Sequence, residues 1–130
     1  RLQAKILQVH RVKRAATVGY GATYEVPDGA KLATVSAGYA DGILRSLSSV
    51  GYGYIDEFRV PVAGRVSMDL TTFDVSNVPD SILDTATVID LIGRQYTLDD
   101  IARDAGTIGY EILTSLGRRY HRRYLPAQLK

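Results

Sequence analysis

Three short glycine-containing segments carry the side chains of this sequence that are best suited to chemistry: Gly19–Tyr24, Gly38–Gly42 and Gly64–Asp69. The glycines on both sides of Tyr20 permit backbone turns closed to other residues and leave the tyrosine ring uncrowded. A phenol can donate or accept a hydrogen bond, and it can remove a proton once its pKa falls from about 10. Taken singly, Gly19–Tyr24 is better explained as a hairpin turn. Gly38–Gly42 is better explained as a strand-to-helix turn capped by Asp41, and Gly64–Asp69 as an ion pair across a strand.

The elements that must position these segments are mostly strands. Apolar and polar residues alternate in Arg59–Val66, where Pro61 favours a sheet edge, and again in Thr71–Val75. Denser apolar runs predict central strands at Lys31–Gly38 and Thr87–Ile92. In Leu2–Val12 the apolar residues change phase part of the way along, which predicts a β-bulge or a change of face.

Helix signals are few. Thr97–Asp100 resembles a capping box, apolar residues then recur at helical spacing, and Gly106 can end the helix in a left-handed conformation. A second short helix is predicted from about Tyr110 to Leu116, and a single turn after Asp41. The sequence therefore predicts one mostly β domain over residues 1–130, a Greek-key-like barrel, closed or nearly closed, with two or three short helices.

Composition excludes several classes of site. The 130 residues contain 16 Lys and Arg, 14 Asp and Glu and no Cys, for a net charge of +2, so there are no disulfides and no thiolate metal ligands. We expect no metal site. We also expect no membrane span, because no apolar run approaches the ~20 residues that a span needs. A basic cluster near the C-terminus could bind nucleic acid; it comprises Arg118, Arg119, Arg122 and Arg123. The near-neutral total charge favours a solvated strand there and argues against a nucleic-acid partner.

Four motifs together are specific where each alone is weak. Gly19–Tyr24, Gly38–Gly42 followed by Arg45, Gly64–Asp69 and Thr107–Glu111 occur in one order. In this order and spacing the chain resembles the C-terminal domain of alanine racemase, a pyridoxal-phosphate (PLP) enzyme, from Leu2 to about Leu125. Ser67 stands where many members have Cys, a position at which the family varies.

The resemblance implies a larger enzyme. Members have an N-terminal (β/α)8 barrel that holds PLP on a lysine, and this barrel is absent from the chain. They interconvert L- and D-alanine as head-to-tail homodimers in the bacterial cytoplasm, supplying D-alanine for peptidoglycan precursors. The chain's lysines match none of the motifs, so we expect no racemase activity from these residues alone; they are Lys5, Lys13, Lys31 and Lys130.

The resemblance also implies roles for single residues. Tyr20 matches the catalytic tyrosine, which exchanges the α-proton on one face of the substrate in the partner subunit's active site. Met68 matches the residue whose backbone N–H holds the substrate carboxylate, and Tyr110 matches a tyrosine at the PLP phosphate. Residues matching the entry channel or its surroundings are Tyr39, Arg45, Arg65, Asp69 and Ile108. A base near neutrality needs a lowered phenol pKa, and the cation that would lower it is expected in the partner's barrel.

There are three alternatives to an alanine racemase domain. A racemase of the same fold with broad specificity would have the same motifs and a pocket for larger side chains. A barrel-like nucleic-acid-binding module would use the basic cluster Arg118–Arg123 and bind single strands in a salt-sensitive way. A purely structural dimerisation domain would need none of the motif side chains for chemistry. Assays on a panel of amino acids would separate the first alternative from an alanine enzyme.

Overall fold

A six-stranded antiparallel sheet dominates the computed structural model, which describes residues 1–13, 16–18, 24–64 and 66–117. Its strands are β1 (Leu2–Arg11), β4 (Lys31–Val35), β5 (Tyr52–Ile55), β6 (Phe58–Pro61), β7 (Thr71–Asp74) and β8 (Val88–Ile92), in the order β6-β5-β8-β1-β4-β7. A separate hairpin consists of β2 (Ala16–Val18) and β3 (Tyr24–Val26). Most neighbouring strands are not consecutive in the chain, as a Greek-key-like arrangement requires.

The sheet closes almost completely on itself. Val62, just after β6, forms a bridge with Phe73 of β7, and the Ala63 amide donates to the Thr72 carbonyl at 2.8 Å. These contacts bring the two edge strands together over a short stretch only. The predicted fold class, a mostly β and nearly closed barrel with a few short helices, is confirmed.

The predicted irregularity of the first strand is a β-bulge. Ile6 pairs with Val35, whereas Gln8 pairs with Thr34, so Leu7 is the extra residue. Ala4 is buried before the bulge, whereas Leu7 at the bulge and Val9 after it are exposed. The bulge thus lies where the apolar residues change phase, between Ile6 and Gln8.

The barrel interior is filled by alternating residues from the strands. In β7, Thr71 and Phe73 are buried, followed by buried Val75, as the alternation predicted. The largest fully buried side chains also include Ile89, Val35 and Val60. Burial of apolar surface at about 25 cal/mol per Å² makes this interior the main source of stability.

The described ranges contain three α-helices and two short 3-10 helices in addition to the strands. They are α1 (Asp80–Leu83), α2 (Leu98–Ala105), α3 (Gly109–Ser115), and the 3-10 helices Tyr39–Asp41 and Arg45–Leu47. The predicted capping box of α2 is present: the Asp100 amide donates to Thr97 Oγ1 at 3.3 Å, and the Thr97 amide donates to Asp100 Oδ2 at 3.1 Å. Gly106 ends the helix with φ +74°. No helix in the described ranges is long and apolar enough to cross a membrane.

Two element boundaries differ from the prediction. The strand expected over Arg59–Val66 ends at Pro61, because Val62, Ala63 and Gly64 are all buried and the two-residue alternation stops. Gly64 then has φ +80°, a left-handed conformation that favours glycine. The strand expected over Lys31–Gly38 ends at Val35, and α1 was not predicted because no side chain caps it.

Candidate functional site

The motif Gly38–Gly42 forms a single turn of 3-10 helix at the end of the strand region that begins with β4. Asp41 is only 3% exposed, and its Oδ2 accepts a hydrogen bond from the Gly38 amide at 3.0 Å. Gly42 ends the turn with φ +93°, a conformation that L-residues rarely adopt. A turn is present as predicted, but Gly38 is its N-cap, and Asp41 stabilises it from the last position by accepting the Gly38 amide. The single helical turn predicted after Asp41 is the 3-10 helix Arg45–Leu47.

The Gly38–Gly42 turn lies directly against the backbone of the third motif. The Tyr39 amide donates to the Ser67 carbonyl at 2.9 Å, and the Ala40 amide donates to the Met68 carbonyl at 2.9 Å. A Cβ atom on Gly38 would lie 2.2 Å from the Ser67 carbonyl oxygen. Only glycine at position 38 allows so close an approach of the two backbones.

Residues Ser67 to Leu70 form a tight turn. The Ser67 amide and hydroxyl both donate to the Leu70 carbonyl, at 3.1 and 2.7 Å, and the Leu70 amide donates back to Ser67 Oγ at 3.2 Å. The Met68 amide donates to no residue within the described ranges, and Met68 is 53% exposed. A backbone donor is thus available here to an acceptor from outside this part of the chain.

The end of α3 also contacts the Gly38–Gly42 turn. The Gly117 amide donates to the Asp41 carbonyl at 3.3 Å, and a Cβ atom on Gly42 would lie 2.2 Å from the Ser115 carbonyl oxygen. At 1.5 Å per residue, the opposite end of α3 is roughly 10 Å away. Ile108 precedes the helix there and Tyr110 lies in its first turn.

The residues at that end of α3 are unusually exposed for their type. Ile108 is 65% exposed and Tyr110 is 78% exposed. Within the described ranges the Tyr110 hydroxyl makes no hydrogen bond. Tyr39 is also exposed, and the Arg45 guanidinium lies 5.9 Å from the centre of its ring, within range of a cation–π contact.

The structure therefore connects most of the predicted site. Tyr39, Arg45, Met68 and Asp69 lie on two segments in direct contact, and α3, which carries Tyr110, is attached to the same turn. Tyr20, Arg65 and the basic cluster Arg118–Arg123 lie outside the described residues, so their roles stay predictions.

Sequence reasoning recognised Asp41 only as the cap of a turn. In the structure its carboxylate accepts the Gly38 amide within the same motif, and its carbonyl accepts the Gly117 amide, so Asp41 connects the Gly38–Gly42 turn with the end of α3. The signal that pointed to it was an Asp three residues after a glycine at the end of a strand. That signal identifies a local cap, and it says nothing about Gly117.

Two titratable side chains outside the motifs are excluded as active groups by their surroundings. Burial and a 2.6 Å hydrogen bond to Asp104 raise the pKa of Tyr96, which is the opposite of what a base near neutrality needs. The Lys31 ammonium is buried and donates to the Val78 carbonyl and to Asp80 Oδ1, so it is committed to structure. Among the described residues no group of His, Asp and Glu has the arrangement of a metal site.

Comparisons with known proteins define the class to which this fold and site belong. The sequence profile of one family, "Alanine racemase, C-terminal domain", matches residues 1–124. The chain therefore belongs to the family of alanine racemase C-terminal domains.

Particular relatives agree with this class. Alanine racemase of Rhodospirillum rubrum is 52% identical over 124 residues, which are 95% of this chain and 33% of that protein. Alanine racemase of Brucella ovis is 48% identical over 124 residues, covering 95% of this chain and 31% of that protein. The crystal structure of alanine racemase from Bartonella henselae with covalently bound pyridoxal phosphate superposes with a TM-score of 0.86 at 35% identity, over 95% of this chain and 34% of that one. The chain spans about a third of the length of these relatives.

Proposed function

We propose that this chain is the C-terminal part of a PLP-dependent racemase that interconverts L- and D-alanine. The observation that carries the proposal is the family match over residues 1–124, combined with the contact that joins the Gly38–Gly42 turn to the Met68 turn. Sequence identity of about half to proteins called alanine racemase supports alanine as the substrate.

The residues present fit pyridoxal phosphate, the cofactor bound in the Bartonella henselae structure. Tyr110 offers a largely exposed hydroxyl with no partner in the described ranges, which suits a donor to a phosphate oxygen. The covalent anchor is proposed to be a lysine outside this chain, because Lys31 is held by Val78 and Asp80 and no lysine lies in a motif. When bound, PLP draws electrons from the substrate Cα and so makes its proton acidic.

The chain's own residues then bind and deprotonate the substrate. The Met68 amide would donate to the alanine carboxylate, a charge-assisted bond that orients Cα. The Tyr20 phenolate would take the proton from one face of Cα, and the lysine outside the chain would return a proton to the opposite face. In the reverse direction the phenol returns the proton. Tyr39, Arg45, Arg65, Asp69 and Ile108 would line or flank the path by which alanine enters.

A head-to-tail homodimer is part of the proposal. Met68, Ile108 and Tyr110 are exposed in the chain by itself, although residues that hold a substrate or cofactor need a closed pocket. The other wall of that pocket would be supplied by the partner subunit's barrel, along with the cation that lowers the pKa of Tyr20. A cytoplasmic location stays a prediction from the resemblance.

The test is Tyr20→Phe in the whole protein that contains this chain. Removing the hydroxyl removes the base for one face of Cα, so racemisation should fall about 10²–10⁴-fold in both directions. Exchange of the α-proton with heavy water should survive better for the enantiomer served by the lysine, which we expect to be D-alanine. Tyr54→Phe, a change in β5 outside the motifs, is the matched control and should leave the rates within about twofold.

Equal residual exchange from both enantiomers, or near-normal racemisation, would show that Tyr20 is a turn residue. The substrate is tested on the parent protein with a panel of amino acids of increasing side-chain size. A strong preference for alanine supports the proposal, and comparable rates with larger amino acids would favour a broad-specificity racemase.

A further inference from the structure

Asp41 lies where three segments of the candidate site meet. Its side chain is 3% exposed, and its Oδ2 accepts the Gly38 amide at 3.0 Å. Its backbone carbonyl accepts the Gly117 amide at 3.3 Å, just beyond the end of α3. The same turn donates through Tyr39 and Ala40 to the carbonyls of Ser67 and Met68.

From this geometry we infer that Asp41 is a positioning residue for substrate binding, acting through the Gly38 turn on the Met68 amide. The inference rests on the proposed function and adds to it a residue that touches neither alanine nor cofactor. The ligand that the Met68 amide would bind is the carboxylate of a small amino acid.

The Asp41 carboxylate sets the shape of the turn. The Gly38 amide is buried together with the carboxylate, and a buried donor that loses its acceptor is costly. With the carboxylate removed, the turn must rotate to find another partner for this amide. The Tyr39 and Ala40 amides belong to the same turn, so they rotate with it.

The Met68 turn follows this movement. Its position is held by the two 2.9 Å hydrogen bonds that the Tyr39 and Ala40 amides donate to the carbonyls of residues 67 and 68. Gly38, which has no Cβ, packs directly on the same two carbonyls. The peptide between Ser67 and Met68 contains both the Ser67 carbonyl, which Tyr39 holds, and the free Met68 amide. Because a peptide unit is planar, fixing its carbonyl fixes the direction of its N–H. The Asp41 carboxylate thus determines where the Met68 donor points.

The experiment measures alanine racemisation by the whole protein carrying Asp41→Ala, with KM and kcat determined separately. Misaligning one donor to a carboxylate should raise KM for alanine about tenfold, while kcat changes less than about threefold. Asp41→Asn keeps an acceptor oxygen of the same size, so its KM should lie between those of the parent and the alanine variant. Asp74→Ala is the matched control: its Oδ1 accepts the Ser76 amide at 3.0 Å, and it lies at the far end of β7 from the Met68 turn.

Hydrogen exchange gives a second readout that needs no activity. In Asp41→Ala, peptides covering residues 66–71 should exchange faster than in the parent, and peptides covering α2 should be unchanged. If Asp41→Ala does not fold, the KM of Asp41→Asn decides, with a rise of about threefold expected and a value within the error of the parent overturning the inference.

The outcomes separate this inference from the proposed function. A parent protein that does not racemise alanine overturns the proposed function. An active parent with an unchanged KM in Asp41→Ala overturns the inference alone. A lower yield of active protein with normal KM, or an equal rise of KM in Asp74→Ala, also overturns it, because either result makes Asp41 a purely structural residue.

Discussion

Substituting Gly38 by alanine tests whether the close approach of the two site segments is real. The backbone of Gly38 has φ −146°, an extended conformation that any residue adopts, so the only obstacle is space. The new Cβ would lie 2.2 Å from the Ser67 carbonyl oxygen and 2.5 Å from that of Met68. Both are backbone atoms, so the segment from Ser67 to Met68 must move away by at least about 1 Å.

The expected cost follows from what that movement breaks. Overpacking a well-packed site costs about 1–3 kcal/mol. The bonds from Tyr39 and Ala40, now 2.9 Å each, would stretch beyond hydrogen-bond range, and each contributes about 0.5–1.5 kcal/mol net. We therefore expect Gly38→Ala to lower the free energy of unfolding by about 2–6 kcal/mol.

Urea unfolding followed by circular dichroism measures this change. For a domain of this size the midpoint should fall by at least about 1 M. Gly93→Ala is the matched control, because an added Cβ there meets no described atom within 4 Å and Gly93 does not have a positive φ. Its midpoint should stay within about 0.3 M of the parent. Equal midpoints for the two variants would refute the close packing of the Gly38 turn on the Met68 turn.

Two further predictions concern the cofactor and acid stability. In the whole protein, Tyr110→Phe should weaken PLP retention about 10–100-fold by removing a hydrogen bond to a charged phosphate, with the fold intact by circular dichroism; unchanged affinity in a PLP titration would contradict the assignment. The hydrogen bonds from the Thr97 amide and hydroxyl lower the pKa of Asp100 below its usual 3.8, so its contribution to stability is present above about pH 4–5 and is lost as the pH falls through the lower folded-state value. Asp100→Asn should therefore be less stable than the parent at pH 6, and this difference should shrink at pH 3; a difference that is constant with pH would argue against the capping interaction. Asp80, whose pKa is also lowered, titrates in both proteins and cancels from the comparison.

Much of the fold could be predicted because its signals are local. Helix α2 begins at a capping box and ends at Gly106, and both devices depend on residues within one turn of the helix end. The bulge in β1 is visible as a phase shift between neighbouring apolar residues. Helix α1 has no such device, since Pro79 precedes it and no side chain caps it, and it could not be predicted.

The family could be predicted by resemblance from the four motifs, because their order and spacing can be seen in the sequence alone. The alternation of buried residues in β7 and the Asp41 cap were also determined within the sequence, since side-chain direction and capping act over two to four residues. Only the tertiary structure decided that the Gly38 turn meets the Met68 turn and the end of α3, because those contacts join residues about 30 and 75 positions apart. It also ended the strand at Pro61, where closure of the barrel buries Val62 and Ala63 together and overrides the local alternation.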